Sequence, residues 1–227
     1  MIKNMLRGFA ALTLALTPLA APAAATAAPA APTSAEVLNL ADAIEQIPLV
    51  VEDRTGYTRD SFKHWNKGLN ATDGCNTRNE VLLSEATETP MIGARCKLTG
   101  GSWFSYYDGR TLTDTNDIDI DHMVPLAESW DSGASGWTPA RREAYANDQD
   151  ASTSLVAVTD RVNQAKADRD PAEWMPPLPD AHCRYISEWV ATKLRWGLAA
   201  DQAEADALTV YAEGPCETAV VHYTTAP

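Results

Sequence analysis

Residues 117–126, Asp-Ile-Asp-Ile-Asp-His-Met-Val-Pro-Leu, alternate Ile118, Ile120 and Val124 with acidic residues and a histidine. That spacing reads as a strand with one polar face. The face presents Asp119, Asp121 and, at the strand's end, His122. A second β-rich run, residues 155–158, breaks at Thr159-Asp160 into a helix carrying Asn163 and Lys166. A strand ending in histidine, an excursion, a second strand and a helix bearing an amide define a small ββα unit, about residues 117–168. A histidine near neutral pKa can act as a base, and carboxylate and amide oxygens can hold a hard cation, so one such unit can supply the residues for both.

The ends of the chain point outward from the cell. Lys3 and Arg7 precede an uncharged stretch, residues 8–35, whose core at residues 9–16 is apolar. Ala-Thr-Ala at residues 25–27 suits a signal peptidase. Residues 1–27 therefore read as a secretory signal peptide, too short and too Pro-broken for a membrane span. Residues 28–35 read as a disordered leader, and residues 36–220 as a single domain. A secreted, extracellular monomer with no membrane contact is expected. The charge opposes a nucleic-acid partner. All 31 acidic residues but only part of the 18 basic ones lie beyond residue 35, for a net charge of about −15 on the mature chain. Such a surface repels polyanions at long range.

Cys75, Cys96, Cys183 and Cys216 all fall in the expected domain, and in an exported protein an even count argues for two disulfides. Three pairings are possible. The nearest-neighbour one, Cys75–Cys96 and Cys183–Cys216, closes two modest loops. No Cys-x-x-Cys spacing supports zinc, and residues 73–80 lack the carboxylates of a calcium loop.

Elsewhere, Ser34 is a helix cap for Val37, Leu38, Leu40, Ala41, Ile44 and Ile47 at helical spacing, ending before Pro48. A short helix is expected over residues 79–86, and an aromatic hairpin over residues 103–113, turned at Asp108-Gly109. Further helices are expected from Pro139 to about Asn147, from Asp180 to Trp196 with Gly197 as the stop, and over residues 201–212. Trp65, Trp103, Trp174, Trp189 and Trp196 are assigned to the core or its edges. The fold class expected is α+β, mostly helical, around the ββα unit.

With these residues in view the chain resembles a secreted actinobacterial HNH endonuclease family, related to the C-terminal nuclease domain of GmrSD-type restriction enzymes. The likeness lies in Asp119-Ile-Asp121-His122-Met-Val-Pro125-Leu126-Ala-Glu128, in residues 137–148, in Ser154-Leu-Val-Ala-Val, and in Asn163-Gln-Ala-Lys166-Ala-Asp168-Arg169-Asp170-Pro171-Ala-Glu173-Trp174. It covers most of residues 50–200. The resemblance implies a ββα-metal (HNH) core and metal-dependent hydrolysis of DNA, with RNA a further possible substrate. His122 is the general base, and Asp121 and Asn163 are the ligands of Mg²⁺ or, second, Mn²⁺. From the chemistry of the residues themselves, Asp119 orients the site, Lys166 meets a phosphate or lies on a solvated face, and Arg78 or Glu80 lines the cleft. Ser154 stands where the family often has Asn, a residue that braces the loop behind the histidine. The acidity and Ser154 favour a second reading, an exported, catalytically weak protein that keeps the site to bind a metal or a partner.

Overall fold

In the computed structural model, which describes residues 35–227, the opening of the expected first helix is a strand. Strand β1 (Glu36–Asn39) pairs antiparallel with the last strand, Val220–Tyr223, in the register Val37↔His222 and Leu38↔Val221. Helix α1 (Leu40–Ile44) keeps only the second half of the periodic stretch. Helix propensity is a weak prior that a tertiary partner overrides. Here the partner lies at the far end of the chain, where local spacing gives no sign of it. The expected signal peptide and all but the last residue of the leader lie outside the described residues.

An irregular stretch leads to α2 (Thr77–Glu85), capped by the Asn76 side chain accepting from the Asn79 N–H. Strand β2 (Ala86–Glu88) then joins an antiparallel sheet with β5 (Ser102–Ser105) and β6 (Arg110–Leu112), while β3 (Met91–Ile92) and β4 (Leu98–Thr99) form a small ladder between them. The expected hairpin is present, paired Trp103↔Leu112 and Phe104↔Thr111. It turns through Gly109 at φ +70°, a conformation that costs glycine little.

Strand β7 (Ile118–His122) runs antiparallel to β8 (Leu155–Thr159), pairing Asp119↔Val158, Asp121↔Val156 and His122↔Leu155. Between them lie α3 (Leu126–Asp131) and α4 (Pro139–Ala146), and α5 (Asp160–Lys166) follows β8 directly. The outer edge of β8 is closed by side chains: the Ala157 N–H donates to Glu85 at 2.9 Å and the Thr159 N–H to the Ser105 hydroxyl at 3.1 Å. These bonds occupy two of the outward N–H groups that a stray strand would otherwise pair with.

This ladder separates two apolar clusters. Ile118, Ile120, Leu155 and Ala157 meet Val81, Leu82, Trp103 and Leu112 on one side. Val156 and Val158 join the larger core on the other, with α6 (His182–Trp196) at its centre through Tyr185, Ile186 and Trp189. Helix α6 ends at Gly197 in the left-handed conformation, as its sequence requires. Helix α7 (Gln202–Ala212) is capped by Asp201, and β9 (Val220–Tyr223) carries the domain past the expected boundary at residue 220. Of the five tryptophans assigned to the core, Trp103, Trp189 and Trp196 are buried, while Trp65 and Trp174 are partly exposed and pack against the clusters. Both disulfides follow the nearest-neighbour pairing, Cys75–Cys96 and Cys183–Cys216. Among the described residues no helix is long and apolar enough to cross a membrane.

Candidate active site

Alternation along β7 puts Asp119 and Asp121 on one face, and helix α5 lies across that face. Residues two apart on a strand share a face, as do residues three apart on a helix, so two pairs can form between them. The Asn163 amide donates to Asp119 Oδ2 at 3.3 Å, and the Lys166 ammonium to Asp121 Oδ2 at 2.5 Å.

Asp121 is nearly enclosed. Its Oδ2 also accepts from the Tyr107 hydroxyl at 2.6 Å, a contact no spacing in the sequence announced. Burial pushes the Asp121 carboxyl up and the Lys166 ammonium down, and their mutual attraction opposes both shifts. Lys166 is fully buried, and its Nζ donates as well to the main-chain oxygens of His122 at 3.0 Å and Met123 at 2.8 Å. An ammonium has three protons, and these three oxygens take them. The expectation that Lys166 meets a phosphate does not survive this burial: the side chain is a brace beneath the strand end. Arg78 is also spent elsewhere, donating to the Thr115 and Ile118 carbonyls at 3.1 and 2.7 Å, and it does not line the cleft that holds His122.

His122 sits at the strand end against aromatic rings. Trp65 stacks on it at 5.4 Å between centroids, and Tyr145 lies at 6.5 Å on a near-parallel plane. Trp65 holds φ +56°, a left-handed conformation unusual for a bulky residue and of the kind that collects at functional sites. His122 Nε2 lies 2.9 Å from the Ala146 carbonyl oxygen. That carbonyl is in the last turn of α4, where helix geometry leaves C=O groups unpaired. A carbonyl only accepts, so Nε2 carries the proton and Nδ1 is the basic nitrogen of the neutral ring. Burial lowers the imidazole pKa to about 3, which keeps the ring neutral at physiological pH.

Ser154 supports the histidine loop through its backbone, since its carbonyl accepts from the Met123 N–H at 3.0 Å. Its hydroxyl donates to Asp148 at 2.7 Å, and Asp148 in turn receives Arg195 at 2.7 and 2.9 Å and the Trp196 indole at 2.9 Å. The part of the brace that runs through the main chain does not depend on an asparagine side chain.

Asp121, His122 and Asn163 line one cleft of about 440 Å³, together with Tyr57, Arg59, Gln164 and Asp168. Arg59 is exposed and carries a positive charge to the cleft, a contribution that sequence reasoning missed. Its signal was absent because residues 54–80 have no periodicity. The donors that Asp121 and Asn163 bring to the cleft are carboxylate and amide oxygens, the chemistry a hard divalent cation prefers. The set suits such an ion.

The model of the family described as "GmrSD restriction endonucleases, C-terminal domain" matches residues 80–210, which include every residue of the ladder, α5 and the histidine brace. An "Uncharacterized secreted protein" of the fungus Arthroderma benhamiae is 42% identical over 201 residues, covering 88% of this chain and 95% of the relative. The relative is fungal, where the resemblance pointed to actinobacteria. No solved structure matches the chain.

Proposed function

The chain belongs to the family of GmrSD restriction endonuclease C-terminal domains, and from that premise we propose that it is a secreted, metal-dependent endonuclease that hydrolyses DNA with low sequence specificity. The observation that carries this reading is the His122 ring. Its Nε2–H is committed to the Ala146 carbonyl, and it shares a cleft with Asp121 and Asn163. A neutral imidazole with Nδ1 unprotonated takes the proton of the attacking water as the oxygen approaches phosphorus. Ala146 fixes the tautomer and the stacked Trp65 fixes the ring plane.

Asp121 and Asn163 are the residues assigned to hold the cation, with Asp119 orienting the Asn163 amide. When bound there, a divalent ion supplies positive charge to the phosphate and to the departing oxygen. Lys166 and Tyr107 hold the Asp121 carboxylate in place. Arg59 offers a positive charge for a flanking phosphate, offsetting locally the acidity of the whole surface. The ββα-metal core of the family corresponds, in this reading, to β7, β8 and α5. The two disulfides and the secreted relative support an extracellular place of action.

The test is a plasmid nicking assay with a metal titration. Cleavage is expected with Mg²⁺ or Mn²⁺ and is expected to stop in EDTA. His122→Ala is expected to lose roughly 10²–10⁴-fold in rate and to gain nothing from added metal. Asn163→Ala loses a neutral ligand only, so high metal restores part of its rate. Equal cleavage with and without chelator overturns the metal role, and a fully active, folded His122→Ala removes the base.

A further inference from the structure

Away from the cleft, one oxygen each of Glu52, Glu128 and Asp131 lie within 4.8 Å of one another, and so do one oxygen each of Glu52, Asp170 and Asp201. None of the five residues lines the cleft around His122. They come from four separate stretches: the irregular segment before Arg54, helix α3, the loop after α5 and the cap of α7. Glu128, Asp131 and Asp170 are buried.

Two cations bond to this group. The Lys193 ammonium reaches Glu128 at 2.9 Å and Glu204 at 2.5 Å, and Arg54 reaches Asp131 at 2.5 Å. With Glu204 and with Asp168, which also bonds Arg54, seven carboxylates therefore face two positive charges. An independent observation marks where a third is needed. The Asp131 side chain is only 2% exposed; its Oδ2 takes Arg54, but its Oδ1 is buried with no hydrogen-bond partner. A buried carboxylate oxygen without a donor calls for a partner.

All the ligands on offer are carboxylate oxygens, which excludes soft metals. Calcium takes six to eight oxygens at about 2.3–2.6 Å in adaptable geometry, so oxygens on opposite sides of it stand up to about 5 Å apart. Magnesium demands a tighter octahedron and holds its waters. We propose that Glu52, Glu128 and Asp131 form a calcium site, separate from the nuclease cleft, with Asp170 and Asp201 beside Glu52 adding negative charge. The ion ties the segment carrying Glu52 to α3. Arg54, two residues from Glu52, bonds both Asp131 and Asp168, and Asp168 lines the cleft, so the same ion steadies the cleft rim.

The proposal does not rest on the nuclease reading, and its test does not use cleavage. Isothermal titration of CaCl₂ into the EDTA-stripped full chain is expected to give a Kd of about 10⁻⁴–10⁻³ M, the range of extracellular calcium modules. Calcium at about 100 times Kd is expected to raise Tm by roughly 5–10 °C. Glu52 is exposed, so its variants leave the core intact. Glu52→Gln is expected to weaken binding at least tenfold. Glu52→Lys places an ammonium among the carboxylates and is expected to melt in EDTA near the temperature of calcium-loaded wild type. Wild type that melts at one temperature with and without calcium overturns the site. Binding that is lost in Asn163→Ala but kept in Glu52→Gln overturns it too, because the ion then sits in the cleft.

Discussion

Lys166 shows how far a residue's role depends on what surrounds it. On sequence it is a cation one turn beyond Asn163, open to solvent or to a phosphate; in the fold it is enclosed, with Tyr185 and Trp189 rings 5.7 Å from its ammonium. Removing one member of a buried ion pair leaves the other charge uncompensated. Lys166→Met is therefore expected to cost about 3–5 kcal/mol in urea unfolding. Tyr107→Phe removes only one of the hydrogen bonds to Asp121 and is expected to cost about 1–2 kcal/mol. A Lys166→Met protein as stable as wild type would show that the pair does not hold the strand end. The pairing of Asp121 with Lys166 was not legible in the sequence. It needs the helix after β8 to cross the β7 face, a tertiary fact, whereas the pairing of histidine with a nearby amide was legible as a motif.

At the level of elements, the ladder of β7 and β8 is held from its edge by Glu85 at the end of α2. Burial raises the Glu85 carboxyl from 4.5 to about 7, against the opposing hydrogen bond from Ala157. Between those values the folded protein keeps a proton that the unfolded chain has released. The stabilisation is complete below pH 4.5 and is lost as the pH rises through 7. The side chain keeps some water, so the loss is roughly 2 kcal/mol rather than the full 1.4 kcal/mol per unit. Glu85→Gln keeps an acceptor for the Ala157 N–H without the titration. Its stability relative to wild type is expected to rise by that amount between pH 4.5 and 8, as read from paired denaturant curves. A constant difference across that range would place the Glu85 titration outside the folding equilibrium. Helix ends were the most legible elements: Thr138-Pro139, Gly197 and Asp201 each bound a helix where their chemistry requires. Strand β1 was not, because its partner is about 180 residues away.

For the molecule as a whole, the disulfides close loops at two distant places. Cys75–Cys96 spans 21 residues and encloses α2, β2 and β3, and Cys183–Cys216 spans 33 and fastens α6 to the segment after α7. In the chain-entropy model each contributes about 3–4 kcal/mol. Reduction is expected to lower Tm by 10 °C or more, and peptide mapping of the unreduced protein to return these two links alone. Recovery of a Cys75–Cys183 peptide would contradict the fold. A melting temperature unchanged by complete reduction would remove the loop argument.

What the sequence determined by itself was whatever is encoded by neighbours in the chain. Alternation in β7, the break at Thr159-Asp160, the caps of α4, α6 and α7 and the Asp-His pair all act over a few residues, where propensity and periodicity operate. The tertiary structure decided which charges are spent and which remain. It buried Lys166 on Asp121, turned Arg78 onto carbonyls, set Trp65 against His122, and brought Glu52, Glu128, Asp131, Asp170 and Asp201 together from four stretches. Desolvation and pairing are properties of the space around a group, and that space is filled by residues far away in the sequence.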